Sequence, residues 1–233
     1  MEKIYWKFYL ENFMKSGIFF GQITHKLNKY MYPFTYAKHK HIHIINITIT
    51  SRFLSEACNL VFNAASNGKD ILIIGTKSTS SSLVELAANK SRCHYVNRRW
   101  LRGMLTNWYT TEKILYKLRN LIAEKFFNKI NYLKTYAFFK YNFNGIKYMK
   151  KLPDIIILVD HNEYFKIIKE CSLLRIPIIV FIDINYYPYI SDFYIPSNDD
   201  TIDSIKFILT KLIYAICKGR SIYINKKIKI KNK

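Results

Sequence analysis

Acidic residues are scarce in this chain: 16 Asp plus Glu face 37 Lys plus Arg across 233 residues, a formal charge of +21. Such an excess repels itself unless an anion neutralises it, which points to nucleic acid as the partner. A basic membrane-surface protein would meet the same condition, but no long amphipathic basic helix with a Trp/Leu face supports that reading. Cysteine is also sparse. Cys58, Cys93, Cys171 and Cys217 stand far apart with no C-x-x-C pair, which speaks against a zinc site or a disulfide framework and for buried, reduced thiols. No apolar run approaches the ~20 residues that a membrane span requires. Neither G-x-G-x-x-G nor the Walker lysine pattern occurs, so the two common nucleotide cradles are missing. The start, MEKIYWKFYLENF, has an early acid and neither an h-region nor an Arg/Ser-rich presequence; the expectation is a protein that works where it is made.

What the chain has is apolar mass. Half of its residues are hydrophobic, so disorder is not the default, and the length suits one α/β domain with an appendage or two small domains. Lys, Ile, Asn, Tyr and Phe are all abundant and all have A- and T-rich codons. That shared bias indicates an A+T-rich genome, as in many organelles, so the 19 Tyr and 16 Phe are not read singly as base-stacking platforms.

Residues 1–50 read as an arm. A short helix is expected within Glu2 to Lys15, followed by Lys26, Asn28, Lys29, Lys38 and Lys40 among aromatic residues. His39, His41 and His43 alternate, which on one strand would align them as metal ligands. With no Cys or carboxylate nearby, an edge strand with Ile42 and Ile44 inward is the better reading. Ser51 to Ala65 has the helical period. DILIIG, residues 70–75, is a short continuous apolar run of the kind that makes a parallel strand buried on both faces. After it, GTKSTSSS leads into a helix with Leu83, Val84, Leu86 and Ala87 as its apolar positions. The serines suit N-capping, and Lys77 is expected to touch an RNA phosphate rather than a bound nucleotide.

A very short strand at His94 to Val96 precedes a helix starting at Thr110, where Ile114, Leu115, Leu118, Leu121 and Ile122 recur at helical spacing. Together with the Lys- and aromatic-rich stretch up to Tyr148, it reads as a projecting helical hairpin that turns near Asn128 to Asn131. Next, IIILVD ends at Asp160, Glu163 to Leu174 is a helix with Phe165, Ile168, Cys171 and Leu174 on one side, and the strand Ile176 to Ile182 ends at Asp183. Strand, helix and strand in such short order imply a right-handed parallel crossover. Ser197 or Asn198 caps a last helix that turns Ile202, Ile205, Leu209, Leu212 and Ile216 inward and is expected to stop at Gly219. Lys226 to Lys233, five lysines in eight residues, reads as a disordered basic arm. The expected division is an arm at 1–50, an α/β domain at 51–110 and 149–225, a hairpin at 111–148 and a tail at 226–233.

Two places could carry chemistry. Asp160 and Asp183 fall at the carboxyl ends of neighbouring parallel strands, where open α/β sheets bind ligands, and such a pair could hold a metal or share a proton. The alternative is that each accepts amide hydrogen bonds in its own turn. No nucleophile motif, Gly-rich loop or patterned His accompanies them, so no catalysis, cofactor or metal is expected. The other place is Cys93 to Trp108, CHYVNRRWLRGMLTNW. There Arg98, Arg99 and Arg102 could grip phosphates bidentately, Asn97 and Asn107 add donors and acceptors, and Trp100 and Trp108 either stack on bases or pack inside to fix the loop.

YVNRRWLRGMLTNW resembles the Y-V-N-x-R-W-L-G-G-x-L-T-N signature of the family of the second protein of the small ribosomal subunit, in its bacterial and plastid form. FLSEACNLVFNAAS, ILIIGTKS, GIKYMKKLPDIIILVD, LLRIPIIVFIDIN and IPSNDDTIDSIKFILTKLIYAICKGRS extend the resemblance along nearly the whole chain. Their wording is most similar to land-plant plastid versions. The resemblance implies an α/β fold with a flavodoxin-like or Rossmann-like parallel sheet flanked by helices, a protruding coiled-coil helical hairpin and an extended N-terminal arm. It implies a structural role in the small subunit, bound to its ribosomal RNA and neighbouring proteins, supporting assembly and translation, with no membrane and no small-molecule substrate. An organelle-encoded plastid copy is expected. The RNA contacts are expected at Lys26, Asn28, Lys29, Lys38, Lys40, Lys77, Asn97, Arg98, Arg99, Arg102, Asn107, Trp108, Lys226 and Lys227. Arg102 replaces a glycine of the family pattern, Phe19 and Gln22 replace usual histidines and Leu27 a usual tryptophan. Readings outside the family would make the chain an α/β enzyme using Asp160 and Asp183, or an RNA-binding regulator that has left the ribosome.

Overall fold

The computed structural model describes residues 6, 8–123, 130–161, 163–188 and 191–231. Along the arm, helix α1 (Leu10–Lys15) is followed by β1 (Phe20–Ile23), two 3-10 turns, β2 (Thr35–His39) and β3 (Ile42–Ile45). These strands form a small antiparallel sheet in the order β1-β3-β2. The histidine alternation therefore does not fall on one strand, because the chain reverses at Lys40, whose φ of 54° lies in the left-handed region. His39 ends β2, His43 lies in β3, and β3 is the central strand rather than an edge.

The main body alternates helix and strand: α2 (Ile47–Ser66), β4 (Ile71–Ile74), α3 (Ser78–Ser91), β5 (His94–Val96), α4 (Trp108–Ala123), α5 (Ile130–Phe143), β6 (Ile155–Leu158), α6 (Tyr164–Leu174), β7 (Ile178–Ile182), β8 (Phe193–Pro196) and α7 (Ile202–Lys231). The five strands pair in parallel in the order β5-β4-β6-β7-β8. This is a flavodoxin-like α/β architecture. Side chains alternate across a strand, so each apolar run feeds two core layers. Ile71, Ile73, Ile155, Ile157, Ile179 and Phe181 face α2, α3 and α7. Leu72, Ile74, Ile156, Leu158, Val180 and Ile182 face α4, α6 and the arm residues Met31, Phe34 and Ile45.

Several boundaries differ from the sequence reading. Helix α2 starts at Ile47, because Asn46 Oδ1 accepts the Thr48 N–H at 3.0 Å and caps it earlier than Ser51. On α6 the inward residues are Tyr164, Ile167, Ile168, Glu170 and Cys171, whereas Phe165 is exposed. Leu86 of α3 likewise faces solvent, and Ala88 takes the inward place. The turn expected near Asn128 to Asn131 begins outside the described residues, and Ile130 and Asn131 already belong to α5.

The largest correction concerns α7, which neither stops at Gly219 nor gives way to a disordered tail. It continues to Lys231, so Lys226 and Lys227 stand on a helix. A Cβ at Gly219 would lie 2.5 Å from the Phe62 carbonyl oxygen and 2.8 Å from Ala65 Cβ. This glycine marks the close crossing of α7 on α2, not a helix end.

The cysteines are all free, with Cys58, Cys93 and Cys171 buried. Burial pushes the Cys58 and Cys171 thiols up to about 12, so neither is a nucleophile. Among the described residues no helix is long and apolar enough to cross a membrane.

Candidate nucleic-acid interface

The arginine-rich segment is the loop between β5 and α4, at the carboxyl end of an edge strand of the sheet. Its first residue is pinned from α3: Asn97 Nδ2 donates to Glu85 Oε2 at 3.0 Å, while the Tyr95 hydroxyl donates to Glu85 Oε1 at 2.9 Å. The middle of the loop wraps around a carboxylate from α6. Glu170 Oε1 accepts the Trp100 indole N–H at 3.0 Å and the Gly103 amide at 2.9 Å. Glu170 Oε2 accepts the Leu105 and Thr106 amides at 3.0 and 3.1 Å, and the Thr106 hydroxyl at 3.3 Å.

Burial alone pushes the Glu170 carboxyl up, but the Leu105, Thr106 and Gly103 amides and the Trp100 indole outweigh it and hold it below its ordinary range. Successive amides that point at one anion form a nest, and here the protein supplies that anion itself. Gly103 makes the bend possible with a φ of 80°. Arg102 is not in the left-handed region, which among the described non-glycine residues only Lys40, Arg92 and Arg175 occupy. A side chain at this position where the family pattern has glycine is therefore accommodated without backbone strain.

This inward fastening turns the cations outward. Arg98, Arg99 and Arg102 are exposed while Trp100, Met104 and Leu105 are buried. Trp100 is thus a packed residue that fixes the loop, and Trp108 is half-buried against the same core layer. Arg98 lies over the Tyr141 ring, 4.8 Å from its centroid. Arg98, Arg99 and Asn97 line one side of a cleft of about 790 Å³, whose other walls include Ser78, Ser82 and Tyr141. Asn107 Oδ1 accepts the Thr110 hydroxyl at 2.9 Å in the first turn of α4.

The remaining basic residues distribute unevenly. Asn28 caps the second 3-10 turn through Tyr30 N, and its own amide donates to the Ile184 carbonyl just beyond β7. That bond places Lys26 and Lys29, both exposed, at the same end of the sheet as Arg98. Lys38 and Lys40 are exposed at the β2–β3 reversal. Lys226 and Lys227 are exposed near Tyr223, whose ring lies against Gly68 at the amino end of β4, so they belong to the opposite end of the sheet. Lys77 points inward instead: its ammonium lies 2.8 Å from Asp199 Oδ2 and 3.0 Å from Asp200 Oδ1. Burial opposes its charge, but those two acids raise its pKa above the usual lysine range.

The acids at the strand ends are held by the protein's own groups. Asp160 accepts the Lys77 amide at 2.9 Å, the Ser80 hydroxyl at 2.5 Å and the Thr76 hydroxyl at 3.2 Å. These donors come from the β4–α3 turn, so Asp160 ties that turn to the end of β6. Asp183 does bond within its own turn, accepting the Ile184 amide at 2.6 Å. Residues 13–219 match the family described as Ribosomal protein S2.

The chain belongs to the ribosomal protein S2 family. Members are structural proteins of the small ribosomal subunit, and an outward-facing basic loop on an internally braced α/β body agrees with that role better than a catalytic centre does. Glu170, Glu85 and Tyr141 are the site residues that sequence reasoning missed. Glu170 stands out only once the inward face of α6 is fixed, as a lone acid among Ile167, Ile168 and Cys171.

Proposed function

We propose that this S2-family protein serves a plastid ribosome, is encoded in the organelle's own genome, and holds small-subunit ribosomal RNA chiefly through Arg98, Arg99 and Arg102, with Asn97 and Asn107 beside them. One observation carries the reading. Glu170 locks the loop backbone from inside, so three guanidinium groups reach solvent at low entropic cost on binding, an arrangement suited to a rigid phosphate backbone. Lys26, Lys29, Lys38 and Lys40 of the arm extend the cationic surface, and Lys226 and Lys227 add a second, separate contact. Lys77 is left out because its charge is already paired. The A+T-biased composition and the plastid-like wording of the motifs support the assignment to that organelle. Contacts with neighbouring small-subunit proteins complete the role, and translation and subunit assembly are the processes served.

The test is co-sedimentation of the tagged protein with small subunits from plastid extract, combined with hydroxyl-radical footprinting of the RNA. Protection of RNA next to Arg98, Arg99 and Arg102 supports the reading. Release of the protein from small subunits at moderate salt would overturn it.

A further inference from the structure

The carboxyl ends of β7 and β8 bring together three carboxylates that the sequence does not pair. Asp183 follows β7, and beyond β8 Asn198 Oδ1 accepts the Asp200 and Thr201 amides at 2.8 and 3.1 Å, which folds Asp199 and Asp200 into a tight turn. One carboxylate oxygen from each of Asp183, Asp199 and Asp200 lies within 4.8 Å of the others. Asp183 is 1% exposed and Asp199 is fully buried.

Their hydrogen bonds leave a specific deficit. Asp199 Oδ2 takes both Lys77 Nζ and His161 Nδ1, the latter at 2.7 Å, and Asp183 Oδ1 takes the Ile184 amide. Among the described residues, Asp183 Oδ2 and Asp199 Oδ1 are buried with no donor. A buried anionic oxygen without a partner is costly, and native structures normally satisfy it with protein, water or an ion. Among the described residues Lys77 is the lysine paired with this group, and its ammonium reaches Asp199 and Asp200 but makes no ion pair with Asp183. Asp200, with its side chain 54% exposed, leaves the cluster open to solvent on one side, and Gln22 Nε2 ties it to β1 at 3.1 Å.

We propose that Asp183, Asp199 and Asp200 bind one hard divalent cation of the magnesium or manganese class. The donor set is carboxylate oxygen with no thiolate, which selects hard cations over zinc or copper. The cation supplies the positive charge that the two orphaned oxygens lack and clamps the ends of β7 and β8 together where Asp200 holds the arm. The sequence reading weighs Asp183 with Asp160 instead, whose oxygens accept from Thr76, Lys77 and Ser80, and expects no metal because no nucleophile motif, Gly-rich loop or patterned His accompanies that pair.

The experiment uses the purified full chain, stripped with EDTA and titrated with Mn²⁺ while the free ion is followed by electron paramagnetic resonance. A chain of formal charge +21 repels adventitious cations, so about one tightly held Mn²⁺, competed by Mg²⁺, is the expected result. Asp183→Asn and, separately, Asp200→Asn should each weaken it at least tenfold. Because Asp200 is half-exposed, its replacement leaves the core intact, which circular dichroism checks. No bound Mn²⁺ in the unmodified chain, or binding that neither substitution changes, overturns the proposal. RNA binding is not part of the readout, so this result and that for the proposed function stand apart.

Discussion

The Trp100 indole N–H donates to Glu170 Oε1 at 3.0 Å across 70 residues of sequence. The same carboxylate collects the Gly103, Leu105 and Thr106 amides. A loop that carries three exposed arginines thereby acquires the rigidity of the sheet behind it. Replacing Glu170 with Gln presents an amide NH₂ to amides that need an acceptor. Unsatisfied buried donors cost about 1–3 kcal/mol each, so Glu170→Gln is expected to destabilise the protein by roughly 2–4 kcal/mol. Urea unfolding measures it, and an unchanged midpoint would show that the loop does not depend on this carboxylate.

Acid should reproduce part of that loss. The Glu170 pKa in the folded protein lies below its ordinary value of 4.5, so its ionised form is favoured by folding. The stability it contributes is fully present above pH 4.5 and disappears as the pH falls through the lower folded value. Unfolding free energy measured from neutral pH downward should therefore fall more steeply in the unmodified protein than in Glu170→Gln. Parallel curves would exclude Glu170 as a contributor.

RNA affinity should fall steeply with salt, because each neutralised phosphate adds roughly 0.7 to 0.9 to the log–log slope. Alanine at Arg98, Arg99 or Arg102 is expected to reduce that slope by about one such increment each without lowering thermal stability, since all three side chains are exposed. Filter binding across a salt series decides it. A slope that none of the three substitutions alters would place the RNA surface elsewhere.

Lys77 should behave in the opposite way. Its side chain is 23% exposed and its ammonium lies on Asp199 and Asp200, so Lys77→Met leaves a buried acid without its countercharge. Loss of one partner of a buried pair costs about 3–5 kcal/mol; with Lys77 and Asp200 partly in solvent, a value nearer 2 kcal/mol or about that is expected. The salt slope of RNA binding should not move. A changed slope with unchanged stability would return Lys77 to the RNA surface.

The contrast between Lys77 and Arg98 shows where the sequence was legible. Continuous apolar runs such as Ile155–Leu158 and Ile178–Ile182 announce buried parallel strands because burial on both faces leaves no alternation to hide. The arginine loop was equally visible, since its residue types are costly to bury. What sequence could not show is which cations face a carboxylate. Asp199 is 122 residues from Lys77, and only the parallel sheet brings them together. Glu170 was hidden for a related reason: an acid on a helix reads as solvated until the helix face is fixed, and its partners are mostly backbone amides, which carry no sequence signature.

Gly219 gives a test of the close crossing of α7 on α2, because packing and helix propensity predict opposite signs for a replacement there. Were it an interior helical glycine with open space beside it, replacement by Ala would favour the helix by roughly 0.5–1 kcal/mol. Helix α7 runs through it to Lys231, but a Cβ there would sit 2.5 Å from the Phe62 carbonyl oxygen. That oxygen belongs to the backbone of α2, so relief requires the helices to part. Separation opens the contact among Val61, Ala65, Leu212, Ile213 and Ile216, all in one core layer. Overpacking of this kind costs about 1–3 kcal/mol, which exceeds the propensity gain. Gly219→Ala is therefore expected to lower the melting temperature, and Gly219→Val to lower it further as the larger side chain drives α7 from α2. A raised melting temperature for the alanine variant would mean that the helices do not meet at this residue.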